Sequence, residues 1–369
     1  MRITILQGAF LPVPALRGGA IEKAWQALGE AFAREGHEVT HISRLCDGLP
    51  EMEKVNGVQH LRVKGADACS NSLLLKAREF PYVWRAQKVL PPADILVTHA
   101  FWAPILLNRE KFGKIYVHVG RYPKGQMRFY KKASRLQVPS CSVADAVSKE
   151  LPDGDERVLA IPYPLPFSIS QQIFMEQRPK RVLYAGRIHP EKGVLELVHA
   201  WQRLPEEMQK DWSLRLIGPW REEQGGGGKA FLEKIKSEAC DKIEIREPVF
   251  EENNLIQQYQ QARVFVYPSQ AQTGETFGLA VLEAMSCGCV PLVSPLECFS
   301  DFIKDGINGF QLKAELSDWE DALFKGLHTL LNNPNFESLN NHARNTAKEY
   351  EVRHVAGQFL QDFQTLINQ

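Results

Sequence analysis

The feature that most constrains this chain is a β–α alternation that runs through the first 160 residues, halts at a proline cluster and starts again. The opening RITIL (2–6) is a short β-type run. A loop rich in Gly and Pro, QGAFLPVPALRGG, follows it. AIEKAWQALGEAFAREG then reads as a helix, with Ile21, Trp25, Leu28 and Phe32 on one stripe at helical spacing. Gly36 stands where a helix stops, and HEVTHIS is the next strand. Such a βαβ unit implies a parallel sheet covered by helices. VQHLRV, ADILVTHA, KIYVHVG and SCSVA read as further strands, and a helix DAVSKEL precedes strand RVLAIP.

The stretch IPYPLPFSIS (161–170) carries three prolines in six residues. Proline removes a donor and disfavours helix in the residue before it, so this stretch reads as a linker. Beyond it come strand RVLYAGR, helix VLELVHAWQRL, strand SLRLIG, helix KAFLEKIKSEA, strand KIEIRE, helix NNLIQQYQQA, strand VFVYPS, helix GLAVLEAMS and strand VPLVS. From Ser317 on, the chain reads as mostly helical and polar. At 369 residues the chain is too long for one compact core. The expected fold is α/β, with two doubly wound Rossmann-like domains, 1–165 and 166–350, facing a central cleft. Residues 351–369 are expected to form a C-terminal helix packing back on the first domain. Ligands of such sheets bind at the carboxyl ends of the strands, which makes the cleft the expected active site.

Composition narrows the class. Hydrophobic residues make up 44% and charged residues 24%, as in globular proteins, and no run of about 18 apolar residues predicts a bilayer span. RITILQ reaches Gly8 too soon for a secretory apolar core. Seven cysteines without a CxxC pair argue against a disulfide framework or a zinc site, so a reducing cytosol is expected. Net charge is zero, yet residues 1–165 carry +7 and the rest −7. Arg109 to Arg135 holds nine basic residues and one acidic one, Glu110, interleaved with Tyr116, Tyr122, Phe129 and Tyr130. A solvated face and an anionic partner are equal readings of that run.

Three loops of the second half carry candidate chemistry. In AGRIHPEKG, Arg187 and Lys192 flank a turn after a strand, and two cations there suit a diphosphate. In SQAQTGETFGLAVLEAMSCG, Glu275 precedes a helix and Glu283 lies within it. Backbone N–H groups over Thr276, Phe277, Gly278 and Leu279 are expected as first-turn donors that favour phosphate. A carboxylate at a helix start is ordinarily a cap, whereas Glu283 interrupts the apolar run GLAVLEAM and needs a partner, which ribose hydroxyls would supply. IREPVF offers backbone groups and apolar surface for a flat base.

Together these pieces resemble the retaining GT-B glycosyltransferases of family 4, relatives of glycogen and sucrose synthases. The match lies in GRIHPEKG, in the YPS strand end, in E-x7-E within ETFGLAVLEAMSCG and in DFIKDGINGF; RGGA and GHEVTHIS match the family's N-terminal signature. The resemblance implies that Arg187 and Lys192 grip the donor diphosphate, Glu275 stands near the donor sugar hydroxyls and Glu283 holds the ribose. It implies that Gly18 and Gly19 let backbone approach the diphosphate, and that His118 faces the donor sugar, with His99 in VTHAFWA as a competitor. The linker IPYPLPF departs from the family's usual Asn-Gly-Val-Asp ending.

Rival signals are weaker. Asp153-Gly-Asp155 is a literal D-x-D, but its flanking Pro152 and polar setting read as a turn. GGGG (225–228) lacks the Lys-Ser/Thr ending of a phosphate loop and reads as a flexible connection. The resulting expectation is a metal-independent retaining hexosyltransferase without cofactor. A nucleotide diphosphate sugar, UDP- before GDP-linked, would donate to a glycan, glycolipid or other hydroxyl acceptor, in polysaccharide synthesis at the cytoplasmic side. An anionic acceptor or anionic membrane contact through 109–135 is part of that expectation. A GT-B nucleotide-sugar epimerase and a nucleic-acid-binding protein using 109–135 are the alternatives.

Overall fold

The computed structural model describes residues 1–69, 71–169, 173–313 and 318–369. Ser170, the end of the expected linker, and Ser317, the start of the expected helical tail, lie outside the described residues. The chain forms two units, Met1–Phe167 with Tyr350–Gln369, and Ser168–Glu349. No helix among the described residues is long and apolar enough to cross a membrane.

The first unit is built from β1 (Arg2–Leu6), α1 (Ala20–Arg34), β2 (Glu38–Arg44), β3 (Met52–Val55), β4 (Val58–Val63), α2 (Ser72–Val89), β5 (Ile95–Thr98), α3 (Ala103–Leu106), α4 (Arg109–Phe112), β6 (Lys114–His118), β7 (Arg135–Val138), α5 (Cys141–Ser148) and β8 (Val158–Ala160). Its eight-stranded sheet runs β3-β4-β2-β1-β5-β6-β7-β8. The described pairings are parallel except for the β3/β4 hairpin, which turns at Asn56-Gly57 with both residues at positive φ. Every residue of β5 is buried, as helices on both sheet faces require.

Three readings of the sequence need correction here. SCSVA is not a strand: Ser140 accepts a hydrogen bond from Val143 N–H and starts α5, while the strand is RLQV, just before Pro139. The helix α2, with Pro81 inside it, was not anticipated. The expected linker 161–170 holds the division between the units at Phe167/Ser168, but its first part belongs to the first unit, with Ile161, Tyr163, Leu165 and Phe167 all buried. Extended backbone turns alternate residues to one side, and proline enforces that extension.

The second unit contains β9 (Arg181–Ala185), α6 (Val194–Gln202), α7 (Glu206–Asp211), β10 (Ser213–Ile217), α8 (Gly228–Glu238), β11 (Ile243–Arg246), α9 (Glu252–Gln260), β12 (Val264–Tyr267), α10 (Leu279–Ser286), β13 (Val290–Val293), α11 (Glu297–Ser300), β14 (Phe310–Gln311), α12 (Trp319–Leu331) and α13 (Phe336–Lys348). Its parallel sheet runs β11-β10-β9-β12-β13-β14, the doubly wound order in which winding reverses between the first and fourth strands, here β9 and β12. The GGGG run is tied down: the N–H groups of Gly225, Gly226, Gly227 and Gly228 donate to Glu222, Arg221, Ile188 and Trp220 carbonyls. The expected flexible connection is a hydrogen-bonded turn.

The chain then re-enters the first unit as α14 (Val352–Asn368). Leu165 N–H donates to Tyr350 O at 2.7 Å, and Arg135 Nε of β7 donates to Asp362 at 3.0 Å. Phe359 and Phe363 of α14 meet the buried α1 stripe, with ring centroids 5.0 Å apart for Trp25–Phe359 and 5.7 Å for Phe32–Phe363. An amphipathic terminal helix buries its apolar face in this way rather than leaving it in water.

Candidate active site

In the second unit, β9 and β12 are neighbours, so the loops leaving their carboxyl ends meet. The loop after β9 carries Arg187 and Lys192, and the loop after β12 carries Glu275. Lys192 is buried, with Nζ 2.7 Å from Glu275 Oε2 and 3.4 Å from Ser269 Oγ, and it lies 5.6 Å from the Tyr267 ring centre. The arrangement keeps a cation at the switch point of the sheet, offset by a carboxylate from the facing loop.

Arg187 is held differently. Its guanidinium donates to Gly225 O at 2.6 Å and pairs with Glu191 at 2.5 Å, and it remains partly exposed. Burial works against the Glu191 charge, yet Arg187, with Lys192 behind it, holds that carboxyl below its ordinary range. Glu191 escaped the sequence reading, although its position four residues after Arg187 on one turn is a signal for the pair. The two cations are therefore committed to separate carboxylates.

The helix start after β12 differs from expectation. The N-cap of α10 is Gly278, at φ 90, and no side chain caps it. Thr276 and Phe277 lie before the helix, Gly278 is the cap itself and Leu279 is the first helical residue, so the expected run of first-turn donors at 276–279 is shifted. Glu275 is not a cap: its backbone N–H donates to Ala271 O, and its carboxylate binds Lys192. Glu283 is buried at 3% exposure, and its Oε2 accepts from Tyr259 O–H of α9 at 2.9 Å. Tyr259 thus supplies one of the partners that burial of this carboxylate demands. In DFIKDGINGF, buried Asn308 donates to Phe302 O and Thr346 Oγ1 and accepts from Lys304 N–H, so this segment pins a turn.

In the first unit, His118 ends β6. Its Nδ1 is 2.5 Å from Gln137 Oε1 and its Nε2 2.8 Å from Tyr163 O–H. Burial pushes the imidazole down to about 4, against the opposing effect of Gln137, so it is neutral at pH 7. His99 is half-buried, 5.1 Å from His118 and 5.2 Å from Trp25, ring centre to ring centre, and neither of its shielded ring nitrogens has a hydrogen-bond partner among the described residues. Burial, with His118 and His41 nearby, drives it well below its ordinary value.

Gly18 and Gly19 lead into α1 at positive φ, Gly19 being its N-cap at φ 116. A Cβ on Gly19 would overlap Glu22 Oε2, so the space beside this glycine belongs to a buried carboxyl of the same helix. Burial raises the Glu22 carboxyl to about 7, against its own backbone N–H and Arg121. Glu22 was missed; its place three residues after the N-cap, where a carboxylate folds back on the helix start, was the available signal. Gly120 is equally constrained, since a Cβ there would crowd Ile21, His118 Nε2 and Tyr163 O–H. Asp155 of the D-x-D binds Arg157 at 2.6 Å, and Gly154 turns at φ 78. That carboxylate is part of a turn.

Comparison with known proteins places these features. Residues 168–350 match the family model described as Glycosyl transferases group 1. A curated relative, lipopolysaccharide 1,2-N-acetylglucosaminetransferase of Salmonella typhimurium, is 29% identical over 168 residues, 44% of this chain and 42% of that protein. The matches span less than half the length of the first curated relatives. The solved sucrose-phosphate synthase of Thermosynechococcus elongatus superposes with TM-score 0.79 at 18% identity, covering 100% of this chain and 99% of that one. Anabaena HepE, solved in complex with UDP and glucose, superposes with TM-score 0.72 at 14% identity, covering 99% and 100%. The fold is thus GT-B, and residues 168–350 of this chain are similar to the Glycosyl transferases group 1 family.

Proposed function

We propose that this chain is a retaining glycosyltransferase that moves a hexosyl group from a nucleotide diphosphate sugar, UDP-linked before GDP-linked, to a hydroxyl of a glycan or glycolipid. The observation that carries the reading is the buried Lys192–Glu275 pair at the β9/β12 switch point of the region similar to the group 1 family. A diphosphate arriving there competes with Glu275 for Lys192 and with Glu191 for Arg187. Each cation is already positioned, so little ordering is left to do at binding. Glu275, relieved of Lys192, is free to accept from a sugar hydroxyl. Arg187 and Lys192 offset charge on the departing diphosphate, a role that needs no metal ion. His118, neutral and fixed by Gln137 and Tyr163, is assigned to the donor sugar, and Glu283 to the ribose.

In the reaction the acceptor O–H attacks the anomeric carbon on the face from which the phosphate departs. The carbon–phosphate oxygen bond breaks, and the leaving phosphate oxygen takes the acceptor proton. The acceptor class follows the lipopolysaccharide transferase named above and the O-antigen chain mannosyltransferase B of Escherichia coli, 37% identical over 111 residues. Incubation with a panel of UDP- and GDP-sugars, with and without EDTA, tests the reading by release of nucleotide diphosphate and by NMR of the product anomer. Release that persists in EDTA with retained configuration supports it. Inverted configuration, or loss of activity in EDTA, overturns the retaining or the metal-independent part respectively.

A further inference from the structure

The exposed face of α2 is apolar where a solvated helix would be polar. Leu73 is 75% exposed, Trp84 54% and Phe80 43%, and they recur with Ala77 and Lys88 along one outer stripe. The inner side, Tyr82, Val83 and Ala86, is already spent in the core. The acid of α2, Glu79, is buried, while Lys88 closes the stripe over the Trp84 ring and Lys76 stands beside it.

Contacts extend this surface beyond the helix. Phe80 packs edge-on against Trp102 at 5.5 Å, Trp102 Nε1 donates to Lys76 O, and Lys76 Nζ sits 4.4 Å from the Phe101 ring centre. Lys132 Nζ donates to Ile105 O at 3.4 Å, next to exposed Leu106. Phe129, 51% exposed, carries Arg128 at 4.9 Å. The basic stretch of the sequence is therefore divided: Arg135 is consumed by Asp362 and Arg109 donates to Ser134, while Arg128, Lys131 and Lys132 remain on the surface that continues α2.

We propose that α2, with the 101–106 and 128–132 segments, is a docking surface for an anionic membrane. Aromatic and leucine side chains reach the headgroup–acyl boundary, and lysines and arginines beside them keep their charge in the anionic headgroup layer. Charge complementarity selects this occupant, because a protein pocket would have to desolvate the same cations. Nucleic acid fits less well: Arg128 and Lys88 already lie against the Phe129 and Trp84 rings, and Leu73, Leu74 and Leu106 offer nothing to a base. The proposal stands independently of the transferase reading.

The test is co-sedimentation of the whole chain with vesicles of phosphatidylcholine alone or mixed with phosphatidylglycerol, at low and high salt. Wild type is expected to bind the anionic vesicles, less so at high salt. Lys131→Glu with Lys132→Glu should lower partitioning by roughly fivefold per residue, and salt should then matter less. Leu73→Ser with Trp84→Ser should lower it at least tenfold at both salt concentrations, with circular dichroism and UDP affinity unchanged. Equal binding to neutral vesicles, no binding to either, or an unaffected serine variant overturns the proposal. So does a concentration-dependent dimer, abolished by the serine variant, in a chain that ignores vesicles; a second copy is then the occupant. Salt-sensitive capture of single-stranded oligonucleotides without vesicle binding overturns it in favour of nucleic acid.

Discussion

Lys192 and Glu275, eighty-three residues apart in the chain, form a buried ion pair with Nζ 2.7 Å from Oε2. Neither is isolated from the other's chemistry, so substituting one exposes the other. Lys192→Met should leave Glu275 uncompensated and destabilise the protein by about 3 kcal/mol, while adding Glu275→Gln to it should regain most of that loss. Urea unfolding of the singles and the double, read as a cycle, checks this. Both singles and the double should lose turnover, and only variants lacking Lys192 should also lose nucleotide affinity. Equal stability of all four proteins would remove the pair's structural role.

Glu283 and Glu275 should fail differently. Glu275→Gln keeps the shape of the loop and should depress kcat with nucleotide affinity little changed. Glu283→Ala strips the Tyr259 hydroxyl of its acceptor and should cost about 2 kcal/mol of stability, with Tyr259→Phe costing about 1 kcal/mol. Calorimetric titration with UDP and denaturant melts separate the two effects. The division of roles collapses if Glu275→Gln loses affinity and Glu283→Ala keeps both affinity and stability.

Glu22 predicts a stability loss with rising pH. Its carboxyl titrates at about 7 in the folded chain, against 4.5 as its ordinary value. The folded state therefore holds the proton more tightly than the unfolded state. The neutral form carries no penalty below about pH 4.5, and stability falls as pH rises through 7, by up to about 3 kcal/mol for this group. Glu22→Gln should match wild type at low pH and exceed it at pH 8. Unfolding free energies of the two proteins across that range check the sign; parallel curves would rule out the raised carboxyl.

His199 predicts a second pH dependence from a different place. It lies on α6 between Glu320, 2.7 Å from Nδ1, and Glu238, which meets Nε2. Burial works against its charge, but the two carboxylates prevail and raise its pKa above 6.5. Its clamp is fully formed below about pH 6.5 and is lost as pH rises through the raised value. His199→Gln should cost stability at pH 6 and little at pH 9. Melting temperatures at the two pH values, for wild type and variant, measure the difference. A variant equally destabilised at both would point to packing instead.

Much of the architecture is legible along the chain because it is local. Strands β9, β10, β12 and β13 are short apolar runs bounded by turn residues, and the helices between them repeat at 3.6. The E-x7-E spacing likewise survives in one segment. What escaped was set by competition between neighbours. SCSVA has β-type composition, but Ser140 captures the Val143 N–H and starts a helix. Helix α2 is apolar on both faces, so the alternation that betrays an amphipathic helix is absent from it. IPYPLPF has the prolines of a linker, but its alternate side chains find a core.

The site divides along the same line. Residue types and spacing by themselves point to two cations and one carboxylate in loops at strand ends of a doubly wound sheet, with a second carboxylate inside the following helix. The pairings came only with the fold: Lys192 with Glu275, Arg187 with Glu191, Tyr259 with Glu283 and His118 with Gln137 and Tyr163. Apart from the Arg187–Glu191 turn, each joins segments 19 to 83 residues apart. Those segments meet because strand order in a parallel sheet is not chain order, and burial then makes an unpaired charge or donor too costly to leave.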